Sequence, residues 1–304
     1  MKPQALTANI HKNNTDKKAL NQDRDAPIGL FDSGVGGLSI YKHLAEQLPA
    51  ERYVYYADTL HVPYGNRDSD DIQALTLTAV EWLYQQGCKL IVIACNSASA
   101  YALDAARQQY PQLPIVGLVP ALKPAVLTSQ SGHVAVLATK ATLNGTLLNQ
   151  VIADIAVPNH TIVTKYFDPN LVPWVEAGMP KISETAKHLR QQVQQFADDD
   201  IDCLVLGCTH YPFFKDFLMD EIEALQLSIQ ILDSGHAIAA RVQSLLAHRG
   251  LLAAQNPVAQ IEQTDSPHDY SSYPLIFYAS KYDNQLNGLV QRLLGARIQI
   301  QYVV

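Results

Sequence analysis

From Pro27 onward, short apolar runs alternate along the chain with longer stretches in which apolar residues recur at helical spacing. Short continuous apolar runs suit strands buried on both faces, and the amphipathic stretches between them suit crossover helices. The pattern therefore predicts an α/β fold with mainly parallel sheets. The predicted strands are Ile28–Phe31, Tyr53–Tyr56, Leu90–Ala94, Ile115–Leu118, Val134–Leu137, Thr161–Lys165, Cys203–Leu206, Ile229–Leu232 and Leu275–Tyr278.

Helix signals lie between these runs. A helix over Leu38–Leu48 follows the first strand across a glycine-rich turn. Asp68-Ser69-Asp70-Asp71 offers capping groups ahead of Ile72, Leu75, Ala79 and Leu83, and Gly87 is placed to end that helix. Ile182, Ala186, Leu189, Val193 and Phe196 fall on one face of a further stretch, with Lys187, Arg190, Gln191 and Gln194 free to meet water, as in an ordinary covering helix. The polar stretch from Gln255 to Tyr273 has little periodicity and reads as a surface loop. Residues 1–26 are polar and aperiodic, lack the apolar core of a secretory leader, and read as a disordered extension.

One unit occurs twice. Leu90-Ile91-Val92-Ile93-Ala94-Cys95-Asn96-Ser97 and Cys203-Leu204-Val205-Leu206-Gly207-Cys208-Thr209-His210 are each an apolar strand, a cysteine at its carboxyl end, a polar pair and then a helix. Ligands of open α/β sheets bind beyond the carboxyl ends of strands, so two such units facing each other would direct two thiols into one cleft. The expected architecture is two similar three-layer α/β/α domains with the active site between them. Residues 27–118 with 231–304 form one, and 119–230 form the other.

Composition narrows the function. A chain of 304 residues has room for two domains at about 100–200 residues each. It is 48% hydrophobic and 17% charged, and no apolar run approaches the ~20 residues of a membrane helix. A net charge of −7 argues against a sequence-independent grip on nucleic acid or an anionic membrane, which needs clustered Lys and Arg. A small molecule is the expected partner, and an anionic one must be held by local N–H and hydroxyl groups. Four cysteines without a leader point to the reducing cytoplasm rather than a disulfide framework.

Unpaired cysteine is usually a small buried hydrophobe, and packing accounts for Cys88 and Cys203, which precede or open apolar strands. Cys95 and Cys208 differ, because each is expected at a helix N-terminus, where the dipole can depress a thiol pKa from about 8.5. Their neighbours Asn96-Ser97 and Thr209-His210 supply amide and hydroxyl groups for a carboxylate, and His210 can tune Cys208 or relay a proton. There is no Cys-x-x-Cys, no His pair at helical spacing and no third or fourth ligand for a Cys208–His210 pair, so no metal site is expected. Phe31-Asp32-Ser33-Gly34-Val35-Gly36-Gly37 is a turn suited to cradling an anion. It is not a dinucleotide fingerprint, since Ser39 stands where glycine is required, nor does it end in the Lys-Ser/Thr of a phosphate loop. His61-Val62-Pro63-Tyr64-Gly65 follows the second strand and by itself is a turn.

Taken together, Asp32-Ser33-Gly34-Val35-Gly36-Gly37, Pro63-Tyr64-Gly65, Ala94-Cys95-Asn96-Ser97-Ala98-Ser99 and Gly207-Cys208-Thr209-His210-Tyr211-Pro212, in that order, resemble the glutamate racemases of the aspartate/glutamate racemase superfamily from Pro27 to the C-terminus. The resemblance implies a cofactor-independent enzyme that interconverts L- and D-glutamate for peptidoglycan. Cys95 and Cys208 would be its acid/base pair, with Asp32 assisting Cys95 and His210 assisting Cys208. It implies substrate contacts from Asp32, Ser33, Tyr64, Gly65, Asn96, Ser97, Thr209 and His210, and no cofactor. Asp58 and Glu176 are similar to acidic positions of the family and stay outside the expected catalytic set. Two departures stand out: Ser97 replaces the usual Thr, keeping the hydroxyl, and Asp168-Pro169 stands where the family often has Cys-Pro. Three alternatives stay open: a racemase of aspartate or another acidic amino acid, a cysteine hydrolase built on Cys208 and His210, and a second role binding DNA gyrase. A homodimer is also left open.

Overall fold

In the computed structural model the described residues are 23–254, 275–295, 298 and 300–303. The strands are β1 (Ile28–Asp32), β2 (Tyr53–Ala57), β3 (Leu90–Ile93), β4 (Ile115–Gly117), β5 (His133–Ala138), β6 (Ile162–Tyr166), β7 (Cys203–Gly207), β8 (Gln230–Leu232), β9 (Leu275–Ala279) and β10 (Ile300–Tyr302). The helices are α1 (Leu38–Gln47), α2 (Ser69–Gln85), α3 (Asn96–Gln109), α4 (Leu122–Thr128), α5 (Lys140–Asn144), α6 (Thr146–Val151), α7 (Leu171–Glu176), α8 (Glu184–Asp198), α9 (Lys215–Ala224), α10 (Gly235–His248) and α11 (Leu286–Leu294).

Two parallel sheets result, ordered β10-β9-β2-β1-β3-β4 and β6-β5-β7-β8. The second sheet repeats the β2-β1-β3-β4 core of the first strand for strand. Cys95 follows the third strand of one unit and Cys208 the third strand of the other. The returning β9 and β10 extend the first sheet beyond β2. β8 crosses the expected boundary at 230/231, so the second sheet runs on to Leu232.

Alternation along the strands sorts side chains into layers. Ile28, Leu30, Tyr53, Tyr55, Leu90 and Val92 pack with α1, α10 and α11, whereas Phe31, Val54, Ile91 and Ile93 face α2 and α3. In the second sheet Ala135, Leu137, Leu204 and Leu206 join the first of these clusters, while Val134, Val136 and Val205 face α4 and α6. Burial on both faces explains why the strands read as continuous apolar runs. One core cluster runs through both units, so they are packed together rather than merely linked.

Several expectations need correction. β10 escaped the sequence reading because its three residues, Ile300-Gln301-Tyr302, alternate rather than form an apolar run. Ile182 is fully exposed, not on the buried face of α8, because Ser183 caps that helix by accepting from the Ala186 N–H and leaves Ile182 outside it. Ala186, Leu189, Val193 and Phe196 do form the buried stripe. Of the expected extension 1–26, residues 1–22 lie outside the described residues. Asp23–Ala26 belong to the folded body: Ala26 is buried, and the Arg24 side chain donates to the Gly250 carbonyl. The expected loop 255–273 also lies outside the described residues. Among the described residues no helix is long and apolar enough to cross a membrane.

Candidate active site

The carboxyl ends of β1, β2 and β3 in one sheet and of β5, β6 and β7 in the other surround a cavity of about 360 Å³. Ser33, Tyr64, Gly65, Cys95, Asn96 and Ser97 line it from the first unit, and Cys208, Thr209 and His210 from the second. All of the expected site residues except Asp32 thus reach one space. Asp32, 1% exposed, lies just beneath it.

Cys95 is the N-cap of α3, and its sulfur accepts from the Ala98 N–H at 3.4 Å and lies 3.6 Å from Ser33 Oγ. The expected depression of its pKa does not occur. Burial and the nearby Asp32 carboxylate push the thiol up to about 12, against the hydrogen bonds from Ala98 and Ser33. Cap geometry offers one oriented N–H to a thiolate, whereas full burial removes its whole hydration shell. Cys208 is not at an α-helix N-terminus. A turn at Thr209-His210 and a 3₁₀ segment over Tyr211–Phe214 separate it from α9.

Cys208 has a different neighbourhood. His210 Nε2 lies 3.1 Å from Glu176 Oε1 at the end of α7. Burial disfavours the imidazolium, but hydrogen bonds to Cys208 and Glu176, and their negative charge, outweigh it and raise the His210 pKa to about 10. The chain thus places a held positive charge beside Cys208 and a buried carboxyl near Cys95. That carboxyl, Asp32, is itself raised to about 6, chiefly by burial, opposed by His210 and by hydrogen bonds from the Gly34 N–H at 2.7 Å and Thr209 Oγ1 at 3.2 Å. Asp32 hydrogen-bonds to Gly34 and Thr209, so its link to Cys95 is electrostatic.

The glycine-rich turn departs from the expected anion cradle. Ser33 and Gly34 line the cavity, but Gly36 and Gly37 do not. A Cβ on Gly36 would stand 2.4 Å from both His210 Nδ1 and Thr209 Oγ1, and one on Gly37 would stand 2.8 Å from the Tyr55 hydroxyl oxygen. Gly36 permits close approach between the two units, and Gly37 close packing within the first. Ser39, in the first turn of α1, donates its hydroxyl to the Thr209 carbonyl at 2.8 Å.

The structure also shows what the sequence analysis left without a role. Buried Asp58 accepts from Tyr64 Oη at 2.6 Å and Ser280 Oγ at 2.8 Å and lies 2.9 Å from His61 Nδ1. It thereby fixes the Tyr64 wall of the cavity to the end of β9. Thr139, Thr142 and Asp168 line the cavity from the second unit. Ser97 Oγ, Thr139 Oγ1 and Thr142 Oγ1 form a hydroxyl chain with steps of 2.9 and 3.1 Å. Thr139 follows β5 directly, so the strand-end rule that singled out the cysteines also points to it; no motif does. Cys88 and Cys203 are buried in apolar clusters away from the cavity. Among the described residues no cluster of three or more His, Cys, Asp or Glu side chains is arranged to hold a metal ion.

Comparison with known proteins gives a consistent result. A family model described as Asp/Glu/Hydantoin racemase matches residues 28–242. A glutamate racemase of Deinococcus radiodurans is 45% identical over 235 residues, covering 77% of this chain and 80% of that protein. Among solved structures, a glutamate racemase from Francisella tularensis in complex with D-glutamate aligns with a TM-score of 0.75 at 28% identity, over 92% of this chain and 98% of that one. Escherichia coli glutamate racemase, in complex with L-glutamate and the activator UDP-MurNAc-ala, aligns with a TM-score of 0.71 at 29% identity over the same shares.

Proposed function

The chain belongs to the Asp/Glu/Hydantoin racemase family, and on that premise we propose that it interconverts L- and D-glutamate by a two-base mechanism using Cys95 and Cys208. The observation that carries this reading is the pairing of two thiols from equivalent strand ends of two repeated units in one cavity. Racemisation removes the Cα proton from one face and returns one to the other, which requires a base and an acid on opposite sides. A thiolate and a thiol meet that need, and one turnover exchanges their roles.

The two environments are unequal. Cys95, pushed up to about 12, rests as the thiol, while a protonated His210 stands beside Cys208. With Cys208 as the base toward L-glutamate, the Cys95 thiol is the acid that returns a proton to the opposite face. Thr209 and Asn96, with the hydroxyls of Ser33 and Ser97, supply dipoles around the α-carboxylate and amine, and Tyr64 and Gly65 close the cavity on the first unit's side. Asp32, raised to about 6, acts beneath this wall by orienting Thr209 and setting the local charge near Cys95. This reading needs no cofactor, so activity should survive exhaustive chelation.

Following optical rotation of purified protein with L-glutamate and with L-aspartate tests substrate choice. Rotation decaying to zero with glutamate alone supports the proposal, and decay with aspartate alone would replace it by an aspartate racemase. A hydrolase built on Cys208, His210 and Glu176 leaves Cys95 unused, and trapping of an acyl-enzyme would be its mark. We place the enzyme in the cytoplasm, supplying D-glutamate for peptidoglycan. Gyrase binding as a second role requires a pull-down that still succeeds when both cysteines are replaced.

A further inference from the structure

Three contacts from the first unit converge on the dipeptide after Cys208. The Thr209 side chain donates to Asp32 Oδ2 at 3.2 Å, Gly36 lies against Thr209 and His210, and the buried hydroxyl of Ser39 donates to the Thr209 carbonyl at 2.8 Å. Only the last holds backbone. A side-chain hydroxyl can rotate away from its partner, but a carbonyl fixed in place fixes the peptide plane next to Cys208. Ser39 Oγ also lies 2.9 Å from the Gly36 carbonyl, so its one proton is shared between the glycine-rich turn and, at the shorter distance, the loop that the turn receives. At 4% exposure this hydroxyl is buried, so its loss takes a donor from buried carbonyls.

We infer that Ser39 is a positioning residue for one face of the reaction: its bond to the Thr209 carbonyl aligns the Cys208–His210 loop with the cavity, while Cys95 is aligned independently. Cys95 is held by its own helix, as the N-cap of α3 with a bond from Ala98, and by Ser33. Among the described residues no hydrogen bond joins Ser39 to Cys95 or to Ser33. Losing the Ser39 hydroxyl should therefore disturb Cys208 and spare Cys95, although Ser39 lies in the same unit as Cys95 and across the cleft from Cys208.

This inference rests on the two-cysteine reading above. Steady-state racemisation cannot expose such an asymmetry, because the equilibrium constant of unity ties the two kcat/KM values together. Elimination can. From a β-chloroglutamate the base takes the α-proton and chloride leaves the adjacent carbon, giving an enamine that hydrolyses to 2-oxoglutarate and ammonium. Only one face and one cysteine are used.

The experiment measures elimination from the L- and D-analogues by wild type, Ser39→Ala and, as a control, Thr76→Val. Thr76→Val deletes a buried hydroxyl bond to the Ile72 carbonyl, inside α2 and away from the cavity. Ser39→Ala is expected to lose about tenfold with the L-analogue, the size of one hydrogen bond, and to keep the D-analogue rate within about twofold. Thr76→Val should leave the ratio of the two rates unchanged. If Ser39→Ala lowers both rates together, its role is structural and the inference is wrong. Ser39→Cys, which keeps a weak donor, is read by the same ratio should the alanine variant not fold. Wild type that eliminates from neither enantiomer would overturn the two-cysteine reading and this one with it, whereas an unchanged ratio in Ser39→Ala overturns this one alone.

Discussion

Gly36 lies so close to His210 that a single added carbon would stand 2.4 Å from the imidazole Nδ1. The imidazole cannot give way easily, since His210 is also held at 3.1 Å from Glu176 on its other ring nitrogen. Gly36→Ala should therefore push the His210 loop out of the cavity rather than be absorbed locally. We expect about 1–3 kcal/mol of lost stability, typical of overpacking, together with a loss of racemisation larger than stability alone explains. Denaturant titration and polarimetry on the same preparation check this, and an active variant of wild-type stability would contradict the close approach.

Asp32 is kept in the site at a cost to the fold. Its pKa rises from 3.8 to about 6 on folding, so between those values the folded chain binds more protons than the unfolded one, and stability falls as pH rises through the window. Two units correspond to about 3 kcal/mol, an order-of-magnitude figure for a fully buried group. Asn at this position can still accept from Gly34 and donate to Thr209. Asp32→Asn should be more stable than wild type at pH 8, lose that advantage by about pH 4, and be a poor racemase. Stability curves at several pH values measure the difference.

His210 acts with the opposite sign. Its folded pKa, about 10, lies above the ordinary 6.5, so its contribution is fully present below pH 6.5 and is lost as pH rises through about 10. The stability difference between wild type and His210→Gln should be largest near pH 6 and shrink steadily toward pH 10. A difference that instead grew with pH would mean that His210 is held neutral.

At the other end of the first sheet, Lys89 and Glu51 form a fully buried ion pair at 2.5 Å. Lys89 also donates to the Arg24 and Leu251 carbonyls, and Glu51 accepts from the Ala253 N–H. Lys89→Met leaves a buried carboxylate without its counter-charge and should cost about 3–5 kcal/mol. Adding Glu51→Leu should recover only part of this, because three backbone groups would still lack partners. Full recovery in the double variant would show that those backbone bonds contribute little. Activity per folded molecule should stay near wild type, since this pair lies at the amino ends of the strands.

The sequence alone determined nine of the ten described strands, their parallel arrangement and the two strand-end cysteines. Each follows from a local rule: doubly buried strands must be continuously apolar, and ligands gather at carboxyl ends of parallel strands. The repetition of a strand-cysteine-helix unit was visible for the same reason. Tertiary structure alone decided which partners the polar residues have. Period and propensity say that Asp32 ends a strand, but not that its partner is Thr209, 177 positions away, or that Asp58 serves Tyr64 and Ser280 together. The thiol pKa of Cys95 went against the local expectation because burial, a property of the whole fold, outweighs one N–H at a helix start. Gly36 looked like part of an anion cradle and proved to be the seat of the opposite loop. Its missing side chain has meaning only once the second unit is folded against it.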